Sequence, residues 1–415
     1  MYIPGYYEFC CRVRIVAGNN ALDRLAGLLG SMNVCSPMIL TDKGVMAAGL
    51  IDKVTQALGP DICAALIEDD VPPDSDIDVV SRLARAYRAG KCDSIIAVGG
   101  GSVMDTAKGI NILVSENASD LLQFSGAGTL KRPLKPLIAV PTTAGTGSEV
   151  TLVAVIADHE KNRKMLFTSY FLQPDAAIID PEMTLTLPAH ITAATAMDAM
   201  AHAIEAATML SKNPLSDTHA VKAVQLIAEN LVKVIKNPSD REGRLALATG
   251  ATLAGIAFSN SMVGMVHALG HSAGSVCHVP HGTCMSILLP YGLEYNYHKI
   301  KDHMGDLLFY LAGPEKFIST EKSRRPACVI EWIRQFNMEL NTLTQGRHAT
   351  CFREVKDHEG NMLVPQTRLG EIAETAMGDG AIFYNPEDLD YEDFLMVAQA
   401  AWEGIPLDMD KIRKG

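Results

Sequence analysis

The sequence predicts an α/β domain built on a mainly parallel sheet, followed by an all-α domain. Three observations predict it. Through about residue 185, short β-branched runs alternate with amphipathic helical stretches. After Leu187-Pro188 the strand signals fade and helical periods take over. Two loops of small residues, 99–102 and 141–149, follow strand-like runs, and parallel sheets bind their ligands at the carboxyl ends of strands.

The expected strands are Arg12–Val16, Pro37–Thr41, Ile62–Ile67, Ser94–Val98, Pro136–Val140, Thr151–Ala157, Lys164–Phe167 and Ala176–Ile179. Helical periods cover Ala21–Leu29, Val45–Leu58, Val79–Ala89 and Val103–Val114 between them. Pro188 marks the domain boundary, so residues 1–188 form the α/β domain and 189–415 the helical one. In the second half, Ile191–Ala207, Ala220–Ile235 and Arg244–Phe258 carry helical periods. The stretch Leu245–Phe258 is nearly all apolar, but its Ala and Gly content and the histidines that follow fit a buried core helix better than a membrane span. Thr342–Pro365 is polar and irregular and reads as a surface excursion.

Composition narrows the function. The chain has 415 residues, 48% hydrophobic and 20% charged, which is globular rather than disordered. A formal charge of -12 without basic clusters excludes a nucleic-acid footprint and leaves small molecules as partners. Nine scattered cysteines with no Cys-x-x-Cys pair read as reduced thiols in a cytoplasmic setting. Met1–Glu8 lacks the basic and apolar parts of a signal peptide, and no segment reads as membrane-bound.

The buried-strand run Ile95–Val98 leads into Gly99-Gly100-Gly101-Ser102 and then a helix. Glycines there let backbone N–H groups approach a phosphate, and the helix aims its positive end at the same place. A tight strand–helix turn is the plainer alternative. The second loop, Pro141 to Glu149, brings glycines and the hydroxyls of Thr142, Thr143, Thr146 and Ser148 to another strand end. Two such loops are harder to explain as turns alone. Asp42 ends the strand Pro37–Thr41, where a carboxylate can hold ribose hydroxyls and repel a 2′-phosphate. It could equally cap the helix that begins nearby.

Asp198 and His202 lie one helical turn apart, about 40° around the axis, in an apolar setting of Ala and Met. His267 and His271 repeat that spacing on a later helix, and Pro280-His281-Gly282 follows in a turn. His267 and His281 would be about 21 Å apart on one continuous helix, so the helix must end between them. Gly274, Pro280 and Gly282 supply breaks. Asp198, His202, His267 and His281 together suit a divalent first-row metal, Fe2+ or Zn2+.

These residues resemble the iron-containing, group III alcohol dehydrogenases. The matching stretches are Thr41-Asp42-Lys43-Gly44, Gly99 to Ser102 with Asp105 and Lys108, Pro141 to Glu149, Asp198 to Glu205, and His267 to His271 through Pro280-His281-Gly282. The resemblance runs in order from about residue 10 to 310. It implies a dinucleotide-binding domain, a helical catalytic domain and an active site in the interdomain cleft. It assigns Asp198, His202, His267 and His281 as metal ligands, and His271 as a non-ligand near nicotinamide and substrate. Asp42 matches the acidic residue associated with NAD preference. Thr142, Thr143, Thr151 and Lys164 match cofactor-contacting positions, and Asp105 belongs to the same glycine-loop signature.

The implied function is hydride transfer between a primary alcohol, or its aldehyde, and NAD(H), by an enzyme expected to be a homo-oligomer. A related polyol or glycerol-type dehydrogenase is the alternative within the scaffold. A dehydroquinate-synthase-like lyase would need a basic phosphate pocket that the helical half lacks, and a non-catalytic sensor would not need every ligand position filled. The chain departs from the family where members often carry Pro-Asn-Pro, having Val71-Pro72-Pro73-Asp74, and it matches only loosely beyond Thr342.

Overall fold

The computed structural model describes residues 3–158, 163–408 and 412. Met1 and Tyr2, part of the N-terminal stretch read above, lie outside them. The chain divides into two compact units, one of Cys10–Leu187 and one of Met1–Phe9 with Pro188–Gly415. The N-terminal residues thus group with the helical unit rather than with the α/β unit that follows them in sequence. Phe9 shows why: its ring stacks on His219 at 5.5 Å.

The α/β unit contains β1 (Arg14–Ala17), α1 (Leu25–Ser31), β2 (Pro37–Leu40), α2 (Lys43–Ala47), α3 (Leu50–Ala57) and β3 (Leu66–Glu68). Then come α4 (Ile77–Ala89), β4 (Ser94–Gly99), α5 (Gly101–Glu116), β5 (Gly126–Ala127), β6 (Leu137–Pro141), β7 (Val153–Asp158), β8 (Arg163–Thr168) and β9 (Ala176–Ile179). A six-stranded parallel sheet has the order β1-β9-β6-β4-β2-β3.

Its central strands are buried on both faces, which is why they read as continuous apolar runs. Ile95 and Ala97 of β4 face a core layer with Leu83 of α4 and Ile110 of α5. Ile96 and Val98 face the opposite layer, with Leu28 of α1 and Val54 of α3.

Two expectations need correction here. Thr151–Ala157 and Lys164–Phe167 do not join the parallel sheet. As β7 and β8 they pair antiparallel and form a separate three-stranded sheet with β5. Too few residues separate them for the helical crossover that parallel neighbours need. The single helix expected over Val45–Leu58 is two helices, because Gly49 adopts φ 70° between them.

The helical unit runs α6 (Ala189–Thr208), α7 (Pro214–Lys236), α8 (Arg241–Ser259), α9 (Met265–Cys277), α10 (His281–Tyr295), α11 (Tyr297–Asp306) and α12 (Leu308–Ser319). It ends with α13 (Arg325–Leu343), α14 (Leu369–Ala376) and α15 (Tyr391–Glu403). The apolar stretch Leu245–Phe258 lies within α8. Its small residues serve close helix packing: a Cβ at Gly250 would lie 3.1 Å from Ile227 Cγ1 and 3.5 Å from the Ala223 carbonyl of α7. Among the described residues, no helix is long and apolar enough to cross a membrane.

The Thr342–Pro365 segment is less of a surface excursion than its polarity suggests. Thr342 and Leu343 finish α13, and beyond them His348, Cys351, Phe352 and Val364 are buried. Ser286 of α10 and His348 Nε2 lie 2.8 Å apart, with Asn337 of α13 completing the knot.

Candidate active site

The metal constellation is assembled by three helices of the helical unit. α6 is buried without interruption from Ala196 to Thr208, so its polar residues in that stretch are enclosed. Asp198 and His202 sit there one turn apart. α9 contributes His267 and His271, and His281 is the first residue of α10. The break between these helices falls at His278, which takes a left-handed φ of 57° and donates its N–H to the Gly274 carbonyl. The sequence points to Gly274, Pro280 and Gly282 for this break. Gly274 instead stays inside the helix as the acceptor, and Pro280 precedes the first turn of α10. Gly282 has another purpose: a Cβ there would lie 2.5 Å from the Ala194 carbonyl oxygen, so only glycine lets α10 start against the backbone of α6.

One ligand atom from each of Asp198, His202, His267 and His281 lies within 4.8 Å of all the others. Asp198 Oδ1 is 3.3 Å from His281 Nε2 and 3.7 Å from His202 Nδ1. Asp198 Oδ1, His202 Nδ1 and His267 Nε2 are buried with no hydrogen-bond partner among the described residues. Three converging orphaned lone-pair atoms are costly unless something fills the space between them. A divalent cation fits this donor set of one carboxylate and three imidazoles.

The protonation states suit a ligand set. Burial disfavours the Asp198 anion, but the imidazoles of His202 and His281 outweigh it and hold the carboxyl well below the usual range. Burial lowers His202 to about 3 and drives His267 well below its ordinary value, so both rings are neutral near pH 7. Phe258 stacks on His202 at 4.1 Å and closes one side.

Glu205 is a functional residue whose role the sequence reading does not assign. It lies on α6 one turn beyond His202, and the Asp198–His202–Glu205 spacing is the signal that would have found it. Its Oε2 is paired with His267 Nδ1, and its Oε1 accepts the Val266 N–H at 3.0 Å. Burial raises its carboxyl to about 7. The pair turns His267 so that Nε2 points at the other candidate ligand atoms. His271 stands beside the set, stacked on the His281 ring at 5.3 Å, and its Nδ1 lies 2.8 Å from Asp379 Oδ2. Asp379 lies far along the chain, and no local pattern links it to His271.

In the α/β unit, Asp42, Gly99 and Thr142 fall at the carboxyl ends of the adjacent strands β2, β4 and β6. The Thr142 N–H donates to the Gly99 carbonyl at 3.0 Å, which holds the two loops together. A Cβ at Gly101 would lie 2.8 Å from Thr146 Cγ2, and one at Gly100 would lie 3.4 Å from Thr143 Oγ1. The α5 N-terminus has no side-chain cap and no acid in its first turn. Uncapped N–H groups behind a glycine cradle fit the pyrophosphate of a dinucleotide. Asp42 does cap α2, accepting the Val45 N–H at 2.9 Å, from a position at the carboxyl end of β2.

Several of the expected cofactor residues also support the loop itself. Lys108, fully buried, donates to Ser148 Oγ and Thr151 Oγ1 at 2.9 Å each, and to the Val153 carbonyl at 2.7 Å. Asp105 accepts from Ser148 Oγ at 2.8 Å and from the Val155 N–H at 3.0 Å. Ser102 Oγ donates to the Pro73 carbonyl, and Lys164 Nζ meets Asp74 at 3.1 Å. The departing Val71–Asp74 segment therefore touches two expected cofactor residues.

Two family models match the chain. The iron-containing alcohol dehydrogenase model covers residues 13–181, and the C-terminal model of the same family covers 192–402. The chain is 37% identical over 320 residues to long-chain-alcohol dehydrogenase 1 of Geobacillus thermodenitrificans, covering 76% of this chain and 80% of that protein. It is 35% identical over 359 residues to 1,3-propanediol dehydrogenase of Klebsiella pneumoniae, covering 84% and 87%. The crystal structure of a 1,3-propanediol oxidoreductase superposes with a TM-score of 0.87 at 30% identity, covering 95% of this chain and 100% of that one. With both units matched and the histidine-rich centre intact, the chain belongs to the iron-containing alcohol dehydrogenase family.

Proposed function

We propose that the protein interconverts a primary alcohol and its aldehyde with NAD(H), using one divalent ion held by Asp198, His202, His267 and His281. The observation that carries this reading is the convergence of three buried, partnerless ligand atoms from α6 and α9. Fe2+ is the first choice and Zn2+ the alternative for such a set.

When bound, the ion supplies Lewis acidity toward the alcohol or aldehyde oxygen and the nicotinamide accepts or returns the hydride. Asp198 supplies the fixed negative charge of the centre, and Glu205 holds His267 in its ligand orientation. Gly99, Gly100, Gly101, Ser102, Thr142, Thr143 and Thr146 cradle the dinucleotide. Asp105, Ser148, Thr151 and Lys164 complete that wall. Asp42 selects NAD over NADP by charge. His271 stays outside the ligand set and handles the proton. The nine free thiols fit a reducing, cytoplasmic setting, and the working form is a homo-oligomer.

An alcohol and aldehyde panel, run with NAD and NADP after loading with Fe2+ or Zn2+, tests the reading. Turnover of primary alcohols with NAD in the metal-loaded protein is expected. No turnover on any alcohol with either metal would overturn it.

A further inference from the structure

His271 has a partner that defines its chemistry. Its Nδ1 lies 2.8 Å from Asp379 Oδ2. Asp379 follows α14 and opens the helical turn Gly380–Tyr384. Its own N–H donates to the Ala376 carbonyl at 3.1 Å, and its Oδ1 accepts the Ala381 N–H at 2.8 Å. The backbone of Asp379 and one oxygen of its carboxylate are therefore held without help from His271. An ionised carboxylate only accepts, so the ring nitrogen facing it carries the proton. Nε2 is then left bare, on a ring that stacks against His281 at 5.3 Å and meets His267 edge-on at 5.8 Å.

We propose that Asp379 is a positioning residue that fixes His271 as the Nδ1–H tautomer, so that Nε2 is the acceptor atom of the ring. This rests on the proton-handling reading of His271 given above.

The Ala381 N–H makes one substitution especially informative. In Asp379→Asn the amide oxygen remains on that N–H, so the NH2 group faces His271 Nδ1. Two donors cannot share the contact, and the ring must switch to the Nε2–H form. Asp379→Glu restores a carboxylate.

The experiment is long-range 1H–15N correlation on 15N-histidine protein loaded with Zn2+, with the His271 signal identified by its loss in His271→Gln. The unmodified protein should show the Nδ1–H pattern. Asp379→Asn should show Nε2–H, with metal content unchanged and kcat lowered about 10²–10⁴-fold against a small change in KM. Asp379→Glu should recover part of both. An Nε2–H pattern in the unmodified protein, or an unchanged pattern in Asp379→Asn, would overturn the proposal, and the first needs no Asp379 variant to fold. A switched tautomer with full turnover would uphold the positioning by Asp379 and remove the proton role from His271.

Discussion

Asp42 carries two separable effects. It caps α2 through the Val45 N–H, and its carboxylate stands where a cofactor ribose is expected. Asp42→Gly should cost only a few tenths of a kcal/mol in the cap, whereas Asp42→Ala should cost about 1 kcal/mol. Both should relax the preference for NAD. Comparing kcat/KM for NAD and NADP with thermal unfolding of each variant separates the effects. An undiminished NAD preference in both would leave Asp42 as a cap alone.

Glu205 acts through His267. Among the proposed ligands, Asp198, His202 and His267 were legible because each sits at a turn-length spacing from another histidine or acid, and His281 because of its Pro-His-Gly turn. Glu205 lies three residues beyond His202 on the same apolar helix, and that spacing is the one signal the sequence offers for it. Removing an outer partner of a metal ligand typically costs about 10–100-fold in metal affinity. Glu205→Gln should therefore weaken metal binding by that range while the helix content stays intact. Competition with a chelator of known affinity measures it, and an unchanged affinity would assign Glu205 to packing.

At the level of elements, the α6–α9–α10 arrangement depends on glycine. The Gly282 position touches the Ala194 carbonyl, so Gly282→Ala must push the start of α10, and His281 with it, away from α6. Overpacking of this kind costs about 1–3 kcal/mol. The melting temperature should fall, and metal affinity should fall with it because His281 moves. A full-affinity variant would show that α10 can shift without carrying the ligand.

The elements were mostly legible from period and punctuation. Central strands read as apolar runs because both faces are buried, and α6 to α8 read from their helical repeat. The β7–β8 hairpin was misassigned because strand propensity does not report pairing partner or direction. The buried part of the Thr342–Pro365 segment was not legible because its buried residues are spaced irregularly, with no helical or strand period to mark them. Gly49 was readable as a helix break only once its left-handed backbone was seen.

For the whole molecule, the sequence carried the division of labour: glycine loops in the first half, histidines and one aspartate in the second. It did not carry long-range pairs such as His271 with Asp379, because contacts between distant segments leave no local pattern. The same division of labour makes the central claim testable at one position. His202 is enclosed between Phe258 and His267, and its Nδ1 has no hydrogen-bond partner among the described residues. The direct measurement is metal content per chain, after dialysis, in the unmodified protein and in His202→Ala, alongside NAD-dependent alcohol turnover and circular dichroism. One divalent ion in the parent, and its loss together with turnover in a folded variant, is the predicted result. Full turnover from metal-free protein would contradict the account.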